Sequence, residues 1–201
     1  MPKNKTIFFD CDHVLLDTQK SFAKYMRRTY KLPISAYEEK HTFIDNWENF
    51  KDQTIKWKLG TLESWQKTKS FENIPALHGA RTAIQKFKKA GYNLIIVTAA
   101  GHLPIAKQRR EKNIEKIFGP VFDDIIMTSW NSNKNMALKK FTPSFFIEDN
   151  IKNAVNALEI NFKPILIKNS QNKNLIEARK NELKEVKIAS SWKEITDYIL
   201  G

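Results

Sequence analysis

An α/β fold is predicted: a mostly parallel sheet covered by helices on both faces, with one helical insert. Three observations predict it. Short β-prone apolar runs alternate with segments of helical period along most of the chain, the pattern of parallel strands joined by crossover helices. The stretch 18–76 breaks that alternation, showing helical patterns and no convincing strand. Finally, 201 residues that are 41% hydrophobic, with 13 Phe, 5 Trp and 5 Tyr, are enough to bury a single core.

The elements follow in order. Thr6-Ile7-Phe8-Phe9 is a short apolar run stopped at Asp10, hence a buried strand. From Thr18 to Leu32 the period becomes helical (Phe22, Tyr25, Met26, Thr29, Tyr30), and Pro33 ends it. Ser35 with Glu38 resembles a capping box, and Tyr37, Ile44 and Trp47 continue one helical face. Ile55, Leu59, Leu62 and Trp65 mark a further helical pattern, with Pro75 as the stop. The aromatics of this insert recur at helical spacing and are expected to form its own small core; Trp47 or Trp57 could instead face a ligand.

After Pro75 the alternation begins. Ala80–Ala90 is a helix closed by Gly91, and Tyr92–Val97 is a strand ending at Thr98. Pro104 suits the first position of a basic helix that runs to about Phe118, where Lys107, Arg109, Arg110 and Lys112 read as a solvated face. Phe122–Met127 is the next strand, Asn135–Lys140 a short helix, and Ser144–Ile147 a strand ending at Glu148-Asp149. Helices at Ile151–Glu159, Leu175–Glu185 and Trp192–Leu200 then alternate with strands at Pro164–Ile167 and Val186–Ala189.

Charge and composition narrow the function. The formal charge is +12, from 34 basic against 22 acidic residues, yet only six of the cations are Arg. A chain built to hold nucleic-acid phosphates in fixed geometry would use more of the planar guanidinium, so nucleic acid is not the expected partner. Cys11 is the single cysteine, which excludes an intramolecular disulfide and a cysteine zinc cluster and favours a reducing, cytoplasmic setting. No apolar stretch reaches the roughly 18 residues of a membrane span, and the run after the basic start is broken by Asp10 and Asp12, unlike a secretion signal. His41, His78 and His102 form no metal spacing.

Three apolar strands end in chemically useful side chains: Asp10 and Asp12, then Thr98, then Glu148 and Asp149. In parallel α/β sheets the carboxyl ends of the strands form the ligand crevice. Up to four carboxylates would converge there. Two charges 4 Å apart repel by about 4 kcal/mol at an effective dielectric of 20, so a cation or a proton must accompany them. An oxygen-only site with few ligands suits Mg²⁺ better than Zn²⁺.

The segment Phe8-Phe9-Asp10-Cys11-Asp12-His13-Val14-Leu15-Leu16-Asp17 resembles the DxD signature of the haloacid dehalogenase-like (HAD) superfamily. Leu94-Ile95-Ile96-Val97-Thr98 is similar to its second motif, Lys134 is placed like its third-motif lysine, and Phe145-Phe146-Ile147-Glu148-Asp149 resembles its fourth. Leu77-His78-Gly79-Ala80 resembles the return from a helical cap. The resemblance implies a Rossmann-like three-layer core of residues 1–17 and 77–201, with an α-helical cap at 18–76. It also implies a Mg²⁺-dependent phosphohydrolase acting on a small phosphorylated metabolite through an aspartyl-phosphate.

By that resemblance Asp10 is the nucleophile, and Asp12 protonates the leaving oxygen and then activates water. Mg²⁺ would be held by Asp10, the backbone carbonyl of Asp12 and Asp149, with Glu148 acting through water. Thr98, Ala99 and the amide of Cys11 would hold phosphate oxygens, and Lys134 would add a positive charge. Lys139 and Lys140 compete for that last role, because Lys134 lacks the proline that commonly follows it. His13 stands where relatives carry Gly. It is a candidate substrate contact, as are Asp17, which could equally start the cap helix, and His102. Asn153 replaces an acidic residue of many relatives. Asp12 disfavours a 2-haloacid dehalogenase. A phosphomutase remains open, as does a phosphonatase using Lys20, Lys24 or Lys56, or a silent binding protein for an anionic ligand or nucleic acid.

Overall fold

The computed structural model describes residues 5–31, 53–101, 103–130 and 132–201. Its elements run β1 (Thr6–Phe9), α1 (Thr18–Tyr30), α2 (Ile55–Gln66), a 3₁₀ turn (Phe71–Asn73), α3 (Ala80–Lys89), β2 (Asn93–Ala99), α4 (Pro104–Phe118) and β3 (Asp124–Thr128). They continue through α5 (Asn135–Leu138), β4 (Phe145–Glu148), α6 (Ile151–Leu158), β5 (Lys163–Ile167), α7 (Lys173–Ala178), β6 (Lys187–Ala189) and α8 (Trp192–Leu200). The six strands form one parallel sheet in the order β3-β2-β1-β4-β5-β6.

Alternation along each strand sends side chains to two separate cores. Ile7 and Phe9 of β1 join Leu94, Ile96 and Ile147 on the face covered by Phe87 of α3 and Trp192 and Ile195 of α8. Phe8 joins Ile95, Val97 and Phe146 on the other face, under Leu138 and Ala157. Both faces are thus dry, as near-continuous apolar strands require.

The strand order reverses between β1 and β4, and their register sets up everything at that end of the sheet. Phe9 lies opposite Ile147, and the Asp10 amide donates to the Ile147 carbonyl at 2.8 Å, so Asp10 comes beside Glu148. The chain leaves for the insert and returns from it along one short ladder: Asp17 N–H to Pro75 O and Leu77 N–H to Leu15 O, both 2.9 Å. Residues Ser35, Tyr37, Glu38, Ile44 and Trp47, read as helical in the sequence, lie outside the described residues, as does His41.

Three sequence expectations are corrected. Among the described residues, the insert's aromatics do not form a core of their own. Phe22, Trp65 and Phe71, with ring centroids 5.0 Å apart along that chain, are continuous with the sheet's main core through Val14, Leu15 and Leu16. The helix expected over 175–185 is the shorter α7, because Leu183 and Val186 reach the core through successive tight turns, and the 179–185 stretch offers no second helical apolar position. And α4 is not simply a solvated basic helix: Arg110 on it is fully buried.

Trp192 fastens the last helix to the first loop, its Nε1–H donating to Val14 O at 3.1 Å. Gly79 faces that indole with φ of 83°, and an added Cβ would lie 3.0 Å from Trp192 Cβ. Gly79→Ala is therefore expected to lower stability by more than about 1 kcal/mol, read as a reduced urea midpoint at unchanged slope. A wild-type midpoint would show that α3 can begin without a left-handed residue there.

Candidate active site

Asp10 is the first residue beyond β1, and only its sheet-end position lets a carboxylate sit so deep. Its Oδ1 accepts the Cys11 N–H at 2.7 Å and lies 2.8 Å from Lys134 Nζ. The same ammonium donates to Glu148 Oε2 at 2.8 Å, while Glu148 Oε1 accepts the Asn150 N–H at 3.1 Å. Lys134 and Glu148 are both buried, so each is tolerable only through the other and Asp10. Asp149, half-buried, is positioned through its backbone: Asn172 Nδ2–H donates to Asp149 O and to Ile167 O, each at 2.9 Å.

One carboxylate oxygen from each of Asp10, Glu148 and Asp149 lies within 4.8 Å of the others, a donor set of hard oxygens suited to a small divalent cation. Burial, and next the charge of Asp10, pushes both Glu148 and Asp149 upward from the ordinary carboxyl range. Lys134 is held protonated against the pull of burial by Asp10 and then Glu148. Above this corner the Thr98 hydroxyl is buried without a hydrogen-bond partner among the described residues. An orphaned donor of that kind, at the end of a strand and on the same crevice as a lysine, is suited to an oxyanion. These groups line a crevice of about 640 Å³, whose walls include Asp10, Asp12, Thr98, Ala99, Lys134 and Asp149.

The expectation of four converging carboxylates is corrected to three. The Asp12 carboxylate lines the crevice but stands outside that cluster, its Oδ1 accepting from Thr18 Oγ1–H and from Arg110 Nη2–H, both at 2.6 Å. Although burial opposes it, Arg110 and then Thr18 hold Asp12 below the usual carboxylate range. The Cys11 amide expected on phosphate instead serves Asp10, and burial pushes the Cys11 thiol well up, so it is no nucleophile. Asp17 caps α1, accepting the Lys20 N–H at 3.2 Å, and does not line the crevice. His13 does line it, with φ of 59°, the left-handed conformation in which Gly is the easier residue. Burial pushes its imidazole below the ordinary range. His102 lies outside the described residues. Lys139 and Lys140 are exposed and away from the crevice, so Lys134 is the lysine that meets Asp10. Asn153 also lines the crevice.

Sequence reading missed Arg110 and Asn172. A signal for the first was present: Arg110 falls four residues after Ala106 and four before Ile114, on the apolar stripe of α4. Asn172 carried none, since its role depends on β5 and α7 folding back over Asp149.

Residues 4–201 match the model of the family "5' nucleotidase, deoxy (Pyrimidine), cytosolic type C protein". The chain belongs to that family. A curated relative, an uncharacterized 32.4 kDa protein of enterobacteria phage T4, is 28% identical over 170 residues. These are 80% of this chain and 59% of that one, so the chain spans about three-fifths of the relative it matches. A predicted phosphatase from Clostridium acetobutylicum superposes with a TM-score of 0.69 at 17% identity, covering 98% of both chains. A haloacid dehalogenase-like hydrolase from Streptococcus pneumoniae gives 0.67 at 14%, covering 99% of this chain and 100% of that one. D,D-heptose 1,7-bisphosphate phosphatase from B. bronchiseptica, complexed with magnesium and phosphate, gives 0.60 at 12%, covering 98% of both. At such identities these structures establish the shared fold.

The two raised carboxyls predict a pH dependence for the metal-free protein. A group whose folded pKa lies above its unfolded value stabilises the fold at low pH and loses that contribution as pH rises through the folded value. Glu148 and Asp149 are raised to about 8 and about 7. The lowered His13 acts oppositely, but only below about pH 6.5, where the unfolded imidazole takes its proton. Stability is therefore expected to fall between about pH 6.5 and 8, followed by urea unfolding in chelator. A flat or rising profile would show that both carboxyls ionise in the fold at ordinary values.

Proposed function

We propose that this chain hydrolyses the phosphate monoester of a small metabolite, a 5′-nucleotide being the leading candidate, through a phosphorylated Asp10. The observation that carries the reading is Lys134 held between Asp10 and Glu148 in a crevice that the unpartnered Thr98 hydroxyl also lines. The nucleotide preference rests on the family description, and the helical segments of 18–76 are read as a cap that gives a small substrate its enclosure. The fully buried lone thiol agrees with a reducing, cytoplasmic setting.

The two hydrogen-bond donors on Asp10 both fall on Oδ1, leaving Oδ2 to form the bond to phosphorus. As that bond forms, the bond from phosphorus to the ester oxygen breaks, and the leaving oxygen takes from Asp12 a proton that the monoanionic ester brings to this otherwise ionised carboxylate. Asp12 then accepts a proton from water, whose oxygen attacks phosphorus and releases inorganic phosphate while Asp10 is restored. Thr98 and Lys134 hold the phosphoryl oxygens throughout. The residues fit a Mg²⁺ ion: Asp10, Asp149 and the Asp12 carbonyl would hold it, with Glu148 reaching it through water. When bound, the ion offsets the negative charge that nucleophile and ester bring together.

Asp10→Asn is expected to fold with a wild-type circular dichroism spectrum and to release no phosphate from deoxyribonucleoside 5′-monophosphates or p-nitrophenyl phosphate. EDTA is expected to stop the wild type, and Mg²⁺ to restore it. Undiminished phosphate release by the Asn variant removes Asp10 from the chemistry, and turnover indifferent to chelator removes the ion.

A further inference from the structure

The Asp12 carboxylate is gripped by two elements that the chain reaches far apart. Thr18, in the first turn of α1, and Arg110, in the middle of α4, both donate to Oδ1 at 2.6 Å. Arg110 is fully buried, and its guanidinium carbon lies over the Phe71 ring, 4.5 Å from the ring centroid. Its Nε and Nη1 are buried with no partner among the described residues. A buried guanidinium with donors left unpaired is a poor way to stabilise a fold, since an apolar residue of similar volume is often as good or better. What it does supply is a fixed orientation.

Around Arg110, α4 is fastened to the segment that returns from the insert. Arg109 Nη1 lies 3.4 Å from Glu72 Oε2, Asn113 Nδ2–H donates to Ile74 O at 3.0 Å, and Lys116 Nζ donates to Asn73 Oδ1 at 2.6 Å. The cation on Asp12 is therefore seated on Phe71 by a helix locked to the three residues that follow that ring. Asp12 itself lines the crevice, and Oδ2 is outside both of its bonds.

We propose that Arg110 is a positioning residue for proton transfer by Asp12: seated on Phe71 and bonded to Oδ1, it fixes the carboxyl so that Oδ2 is the oxygen that exchanges a proton with the leaving group. The inference rests on the phosphatase reading above. It assigns the proton to Asp12 Oδ2 before cleavage and to the departing ester oxygen after it, with Arg110 keeping its own protons. A leaving group that needs a proton depends on this placement. One that departs as a stabilised anion does not.

The test compares two esters by kcat/KM, which reports steps up to the first irreversible one and so excludes the later attack of water. Arg110→Met is expected to lose about 10²-fold toward an alkyl ester such as glycerol 2-phosphate, the scale of a general-acid contribution. Toward p-nitrophenyl phosphate, whose phenolate leaves without a proton, the loss is expected to be much smaller. Arg110→Lys, which keeps the charge but not the planar fork, should recover part of the alkyl-ester rate, and it carries the comparison if the Met variant does not fold. Equal losses toward both esters, or no loss toward either, overturn the positioning role while leaving the phosphatase intact. A wild type that releases phosphate from neither ester overturns the phosphatase reading and this inference with it.

Discussion

Three carboxylates cannot share a buried corner unless positive charge is built in with them. Asp10, Glu148 and Asp149 meet where β1 and β4 end side by side, and Lys134 stands between the first two at 2.8 Å from each. Removing one partner from such a buried set commonly costs about 3–5 kcal/mol, so the lysine is a condition of the fold at that point. It does not neutralise the set completely: one cation faces three acids, and burial lifts Glu148 and Asp149 toward protonation. That residual negative charge is what makes the corner receptive to a divalent ion.

The sheet makes this arrangement nearly unavoidable. With β1 central and the chain winding outward first to β3 and then to β6, the only strand ends that become neighbours across the reversal are those of β1 and β4. Thr98 comes from β2 on the other side of β1, so its hydroxyl and the acidic pair that ends β4 flank Asp10. The insert leaves after Asp17 and returns on a two-bond ladder beside Leu15 and Asp17, a few residues from Asp12.

Much of this was legible from residue types alone. Apolar runs that stop abruptly at Asp10, Thr98 and Glu148 announce strand ends, and parallel topology sends such ends to one rim. The register between β1 and β4 was not legible, nor which lysine among Lys134, Lys139 and Lys140 would be buried, because both depend on how α5 packs under β4. The four-carboxylate expectation failed for a related reason. Two-residue spacing would place Asp10 and Asp12 alike along a continuing strand, but β1 ends at Phe9 and the turn that follows, with His13 left-handed, swings Asp12 toward α4. Charge pattern misled at Arg110, where four neighbouring basic residues suggested solvent, while the apolar stripe of the same helix placed one of them inside.

The account depends most on Asp10 carrying the phosphoryl group. Borohydride added during turnover reduces an acyl-phosphate to an alcohol, so digestion and peptide mass spectrometry would locate the phosphorylated carboxyl. Conversion of Asp10 to homoserine, dependent on substrate and absent in chelator, is the result the account predicts. Unmodified Asp10 in protein that is demonstrably releasing phosphate, or reduction at Asp149 instead, would contradict it.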